Sequence, residues 1–333
     1  MAQAAPSLTK SASFIFGKGA SKQPRKAFVA DAILALLGAV GIAVGAFATS
    51  SFRSSNQAGT DLLYKTIIPF AAVSAAAVAL LCLLRQSARA AQHKLLDPCA
   101  PALPRFGRKG LLISGSSLLF ALSCVYRSIF VADEGAALCR GAPSAFNAPV
   151  SGRAVATIGE IALVVQLSAY IVDTAKRLGV TGALWSARNR FSLVPVCAAE
   201  CCSWCGVLSG NSRFFCAEYC LWCLLALAWS WDAAELLHLS KRRGDVVMHS
   251  GVLLGALGLL LFNLVHEIPH FFVAKISEDL APSSALGVWE CVEDAGSPLW
   301  LKRLPFFFIY FFGCSWLSTF VAARYLTRGA AQE

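Results

Sequence analysis

Residues 246–272 read VVMHSGVLLGALGLLLFNLVHEIPHFF, and Glu267 is the first Asp, Glu, Lys or Arg in this apolar run. A helix needs about 20 mostly apolar residues to cross a hydrocarbon core of about 30 Å. The run is long enough to do so, and other stretches of the chain share its character. The sequence therefore predicts an all-α integral membrane protein built as a polytopic helical bundle.

The composition supports the same fold class. Hydrophobic residues make up 57% of the 333 residues and charged residues only 14%, with a mean hydropathy of +0.62. Soluble domains usually carry about 25% charged residues, so too few remain here to cover a water-facing surface. This excludes a soluble enzyme, a disordered protein and a small disulfide scaffold.

Eight stretches are long and apolar enough to predict about eight transmembrane helices. They are residues 28–50, 67–84, 110–131, 153–173, 191–210, 214–237, 246–272 and 305–326. Pro195, Glu200 and four cysteines interrupt the fifth stretch, and the count falls to seven if that stretch re-enters the membrane. The predicted organisation is a basic tail over residues 1–27, a membrane domain over 28–326 and a short tail over 327–333.

Basic residues in the loops predict the orientation. With eight spans, most of the 29 Lys and Arg residues fall on the side of the two termini, and positive residues accumulate on the cytoplasmic side. Both termini are therefore predicted to be cytoplasmic. The same loop residues account for the pI of 9.1. A weak attraction to anionic membrane lipid is enough to explain their role, so a nucleic-acid partner is unnecessary. Residues 1–27 fit either a disordered tail or an organellar targeting segment, which leaves the host membrane (plasma or organelle) open.

The thirteen cysteines fall into two groups. Most lie within predicted spans, where cysteine acts as a small apolar residue. Cys139 and Cys291 lie in predicted non-cytoplasmic loops instead, and a disulfide between them fits an oxidising compartment.

Ionisable residues inside spans are costly and usually functional. On the predicted topology most of them share the outer half of the membrane. Two interpretations follow, either charge pairs that lock the helices together or a ligand cavity open to the non-cytoplasmic side. The candidate residues are Arg127, Arg153, Glu160, Glu200, Glu218 and Glu267. A second set at the cytoplasmic end is interpreted as interfacial: Asp232, Glu235, His238 and His249.

A metal site is a further hypothesis, because residues 266–270 read HEIPH. The H-E-x-x-H motif places two zinc-binding histidines, here His266 and His270, on one helix face with a glutamate general base between them. Glu160 or Glu218 could complete such a zinc site. However, Pro269 kinks a helix. The spacing is also similar to that of the alkaline ceramidase-like membrane hydrolases, but their additional histidine and aspartate have no counterpart at this depth.

Several segments together resemble a polytopic membrane protein family of algae, protists and some bacteria to which no activity is assigned. The segments are RSIF at 127–130 with Asp133 and Cys139, GRAVATIGE at 152–160 with Gln166, AECCSW at 199–204, VLSGN at 207–211, Glu218 with Trp222, and EIP at 267–269. The resemblance covers roughly residues 127–272. It implies a shared feature formed by Arg127, Arg153, Glu160, Glu200, Trp204, Asn211, Glu218 and Glu267. The positions of His266 and His270 are not histidine in that pattern, which argues against the zinc site.

The leading functional prediction is binding or transport of a small polar or lipid-headgroup ligand through this polar cavity. The two arginines would contact an anionic group, and the carboxylates would carry protons or cations. One alternative is an intramembrane metal-dependent hydrolase that uses His266, Glu267 and His270. Another is a structural subunit of a membrane complex or homo-oligomer, in which the charged residues only hold helices together.

Overall fold

The computed structural model describes residues 67–96, 105–130, 132–133, 136–137, 145–180, 192–275 and 306–329. Within them the helices are α1 Ile68–Leu96, α2 Arg105–Ile129, α3 Pro149–Arg177, α4 Leu193–Ser209, α5 Ser212–Leu239, α6 Arg243–Phe262 and α7 Ser315–Gly329. The predicted span at 28–50 and the predicted tail at 1–27 lie outside these residues.

The short elements accompany these helices. Strands β1 (Ala132–Asp133) and β2 (Ala136–Ala137) pair antiparallel after α2, and a 3₁₀ turn at Ala145–Asn147 precedes α3. Helix α6 continues through π-helical turns at Asn263–Glu267 and His270–Lys275. A further π-helical segment, Phe308–Cys314, leads into α7.

Five helices in the described part of the chain are long and apolar enough to cross a membrane. They are Ile68–Ala88, Arg108–Ile129, Pro149–Arg177, Ser212–Leu239 and Arg243–Phe272. The protein is therefore a membrane-embedded bundle of helices, as the composition predicted. Strong helix formers such as Ala, Arg, Gln, Lys and Leu extend α1 to Leu96, well past the predicted end at residue 84.

Helix α4 has 17 residues, or about 25 Å of rise, and is shorter than the five long apolar helices. Pro195 does not interrupt it, because proline is tolerated in the first turn of a helix. The helix ends at Gly210, whose φ of 68° is left-handed and suits glycine. Asn211 then caps α5 by accepting a hydrogen bond from the backbone N–H of Arg213, so the two helices form a tight antiparallel hairpin.

Small residues bring the helices together. Without a strong hydrophobic driving force in lipid, helix association depends on close packing and interhelical hydrogen bonds. Buried alanines such as Ala72 and Ala75 form the inner face of α1. Thr319 of α7 donates a hydrogen bond to the carbonyl oxygen of Ala75 at 3.3 Å. Gly255 of α6 lies close to α7, because a Cβ at this position would lie 3.2 Å from Leu317 Cδ2.

Helix α3 is the central element of the bundle, and it packs against α2 on one side and α4 on the other. Its Gln166 is fully buried and exchanges two hydrogen bonds with Ser318 of α7, at 2.7 and 2.6 Å. The Ser318 hydroxyl also lies 3.1 Å from the hydroxyl of Ser117 of α2, from which it can accept a hydrogen bond. These contacts fix the rotation of α3, and with it the direction in which its charged residues face.

Candidate functional site

Arg153 is the centre of a buried charged cluster formed by α3, α4 and α5. Its Nη2 donates to Glu160 Oε2 at 2.8 Å and to Glu200 Oε2 at 2.5 Å. Its Nη1 donates to Glu218 Oε1 at 3.3 Å. One guanidinium, whose side chain is only 10% exposed, therefore connects three carboxylates that come from three different helices.

Arg127 of α2 supplies the second positive charge. Its Nη1 donates to Glu160 Oε1 at 3.3 Å, and its guanidinium lies 4.9 Å from the ring centroid of Tyr310. Tyr310 in turn donates its hydroxyl to Glu160 Oε1 at 2.9 Å. Glu160 thus accepts hydrogen bonds from two arginines and a tyrosine, as a buried carboxylate requires.

Glu200 is held from its other side by a chain of hydrogen bonds. The Thr157 hydroxyl donates to Glu200 Oε2 at 2.5 Å, and Trp204 Nε1 donates to Thr157 Oγ1 at 3.1 Å. Arg153, Thr157 and Glu160 share one face of α3, because residues three and four positions apart are neighbours on a helix. Helix α3 therefore presents a donor, a hydroxyl and an acceptor in one row.

The structure brings five of the six predicted residues into this cluster. They are Arg127, Arg153, Glu160, Glu200 and Glu218. The sixth, Glu267, is fully buried in the π-helical part of α6, where its Oε1 lies 3.0 Å from His266 Nδ1. Sequence reasoning missed Thr157, which the helical spacing from Arg153 could have suggested. It also missed Tyr310, which carries no signal in its phenylalanine-rich run.

A cavity of about 120 Å³ adjoins the cluster. Arg127, Arg153, Glu160 and Glu218 form part of its wall, together with Asn263 of α6. Most of the remaining lining is apolar or aromatic. The same side chains therefore pair across helices and also line a cavity.

The two histidines of the HEIPH motif lie on either side of a change in helix type. The π-helical turns end at Glu267 and resume at His270, and Ile268 and Pro269 lie between them. The imidazole rings of His266 and His270 are stacked, with centroids 6.5 Å apart.

No group of three or more His, Cys, Asp and Glu residues within the described ranges is arranged to hold a metal ion. Glu160 and Glu218, which the zinc interpretation needs as a third ligand, accept hydrogen bonds from Arg153. Cys139 and Cys291 lie outside the described residues, so their disulfide stays a prediction.

Two residues of the second polar set face the interior of the bundle. Asp232 and His249 are buried, and His249 Nδ1 lies 2.8 Å from Ser240 Oγ. Glu235 is half-buried and His238 is exposed. Position along a helix gives the depth of a residue but not the direction in which it faces, and these two residues face the bundle.

Asp173 forms a second charged group at the opposite end of α3 from Arg153. The carboxylate accepts hydrogen bonds from Lys109 of α2 and from Tyr325 of α7, the latter at 3.3 Å. Arg177 Nη2 lies 2.9 Å from it. Sequence analysis did not single out Asp173, because it falls in the last turn of a predicted span, where charges are common.

Comparison of the chain with protein-family models, with curated proteins and with solved structures gave no match. The resemblance to the membrane family of algae, protists and bacteria therefore stays a prediction, and the function has to be argued from the site.

Proposed function

We propose that the protein is an eight-span membrane protein that binds or transports a small polar or lipid-headgroup ligand. The ligand enters a cavity in the outer half of the membrane, and both termini face the cytoplasm. The observation that carries the proposal is the cavity of about 120 Å³ whose wall contains Arg127, Arg153, Glu160 and Glu218. Charged groups are costly inside a bilayer and usually mark a ligand or ion pathway.

The pairing within the cluster supports a role for Glu160 and Glu200 together in proton transfer. Glu160 and Glu200 both place an oxygen on Nη2 of Arg153, at 2.8 and 2.5 Å. When two carboxylates contact the same nitrogen, their mutual repulsion makes it harder for both to stay ionised than for two carboxylates that lie apart. Binding of a charged ligand at Arg153 changes that balance, and a proton then moves with the ligand.

Proton-coupled uptake in liposomes tests the proposal. We expect protein reconstituted with an internal pH-sensitive dye to take up at least one of three headgroup probes, namely ethanolamine, phosphoethanolamine and glycerol phosphate, with a change in internal pH. Glu160→Gln should abolish both signals, because it leaves a single carboxylate on Nη2 of Arg153 and no pair that can share a proton. Arg213→Gln, which changes an exposed charge at the start of α5, should leave both unchanged.

Zinc content, probe uptake and melting temperature together separate the alternatives. Bound zinc that is present in the purified protein and lost in His270→Ala would support the metal-dependent hydrolase. The Nδ1 contact of His266 with Glu267 is the observation that keeps this alternative, since metal-binding histidines usually pair with a carboxylate or carbonyl. A structural role is supported instead if no probe is taken up and Glu160→Gln only lowers the melting temperature.

A further inference from the structure

The cavity has a charged end and an apolar arm. On α3 its wall extends from Pro149 to Leu167, a rise of about 27 Å. The charged residues are confined to the part next to Arg153. Further along, the wall is made by Leu163, Leu167, Trp229, Val252, Ala256 and Leu317. A polar headgroup alone would leave this arm empty, whereas an amphiphile with a hydrocarbon chain fills both parts.

The cluster carries more negative than positive groups. Within the described residues it contains three carboxylates, of Glu160, Glu200 and Glu218, and two guanidiniums. Both Nη atoms of Arg153 already contact these carboxylates. The arginines were expected to contact an anionic ligand, but their contacts are to the protein's own glutamates. Because Glu160 and Glu200 do not both stay ionised, the carboxylate that can contact a cationic ligand is that of Glu218, which lies in the cavity wall.

Aromatic side chains form part of the cavity lining, here called the aromatic wall. They are Tyr219, Trp222, Trp229, Phe306 and Tyr310. Aromatic faces attract organic cations, and quaternary ammonium groups are recognised in this way. The guanidinium of Arg127 over the ring of Tyr310 is a contact of the same kind at the edge of this wall.

We propose that the cavity binds a cationic amphiphile. Its amine or quaternary ammonium head lies beside Glu218 and the aromatic wall, and its hydrocarbon chain lies along Trp229, Val252 and Ala256. This inference rests on the proposed function, since it names the ligand class of the same cavity.

Calorimetric titration of the protein in dodecyl maltoside, whose headgroup is uncharged, tests the assignment. Three probes separate charge from chain: decyltrimethylammonium, decyl phosphate and tetramethylammonium. We expect decyltrimethylammonium to bind about tenfold or more tightly than either of the other two, because only it has both the cationic head and the chain.

Three variants separate the cavity from adsorption to the micelle. Glu218→Gln removes a carboxylate from the wall and should weaken binding of both ammonium probes. Ala256→Trp fills the apolar arm and should weaken decyltrimethylammonium while leaving tetramethylammonium unchanged. Leu254→Trp places the same side chain on the exposed face of α6, where Leu254 is 69% exposed, and should change neither.

The outcomes distinguish this inference from the proposed function. If decyl phosphate binds more tightly than decyltrimethylammonium and the cavity variants weaken its binding, the cationic assignment is overturned. The cavity would still be a ligand-binding site. Equal affinity for tetramethylammonium and decyltrimethylammonium would overturn the assignment of the chain. If each probe binds with the same affinity to every variant as to the parent protein, both the inference and the proposed function are overturned.

Discussion

Replacing Arg153 by methionine is expected to cause the largest loss of stability of any single substitution in the described residues. Methionine has a similar length and no charge, so the space is filled while three buried carboxylates lose their common donor. Removing one partner of a buried charge pair costs about 3–5 kcal/mol. The melting temperature of the purified protein, followed by intrinsic fluorescence and size-exclusion chromatography, measures the loss.

A compensating variant identifies the cause. When Arg153→Met is combined with Glu200→Gln and Glu218→Gln, Glu160 keeps Arg127 as its partner, the other two carboxylates lose their charge, and most of the melting temperature should return. Arg213→Met is the matched control, because Arg213 is exposed and surface substitutions usually change stability by less than about 0.5 kcal/mol. If Arg153→Met melts like the parent protein, the cluster does not hold the three helices together.

Gly159→Ala is expected to have the second largest effect. A Cβ at Gly159 would lie 2.4 Å from Ser123 Oγ and 2.5 Å from Ser123 Cβ, closer than any normal contact. Helix α3 must then move away from α2, which separates Glu160 from Arg127. Overpacking of this kind costs about 1–3 kcal/mol, and we expect a lower melting temperature together with weaker probe uptake.

Removing the clash should restore the packing. Gly159→Ala combined with Ser123→Gly frees the space that the new methyl group needs, although the hydrogen bond from Ser123 to the carbonyl oxygen of Val155 is lost. Gly115→Ala on α2 is the control, because a Cβ there meets nothing within 4 Å and alanine favours the helix. A Gly159→Ala protein as stable as Gly115→Ala would show that the α2–α3 contact is loose.

The charged cluster could be predicted from the sequence because its residues are rare where they stand. An arginine or glutamate within an apolar span needs a partner, and only a few such residues are present. Depth along the predicted spans was enough to group Arg127, Arg153, Glu160 and Glu218. Glu200 was placed with them although the fifth stretch was the least certain span. The structure forms this helix, because Pro195 lies in the first turn of α4 and does not break it.

Other parts of the site could not be predicted, because depth does not determine the direction of a side chain. Asp232 and His249 were assigned to the interface by their position near helix ends, yet both are buried. Tyr310 reaches Glu160 from a helix that is 150 residues away in sequence, and nothing in its own segment indicates this contact. Likewise, α1 continues beyond residue 84 through residues that favour a helix but do not form a continuous apolar run.

The single guanidinium shared by three helices also has a consequence for biosynthesis. Helix α3 carries Arg153 and Glu160 together, so it enters the bilayer with its own charges paired. Helices α4 and α5 each bring a glutamate whose counter-charge is on α3, and an acidic residue at the centre of a lone helix costs about 2.5–3.5 kcal/mol on insertion. Arg153 is synthesised before Glu200 and Glu218, so α3 must be in place to receive the α4–α5 hairpin. If the ribosome stalls or the chain is cut after α3, Arg127 and Arg153 share Glu160 as their carboxylate.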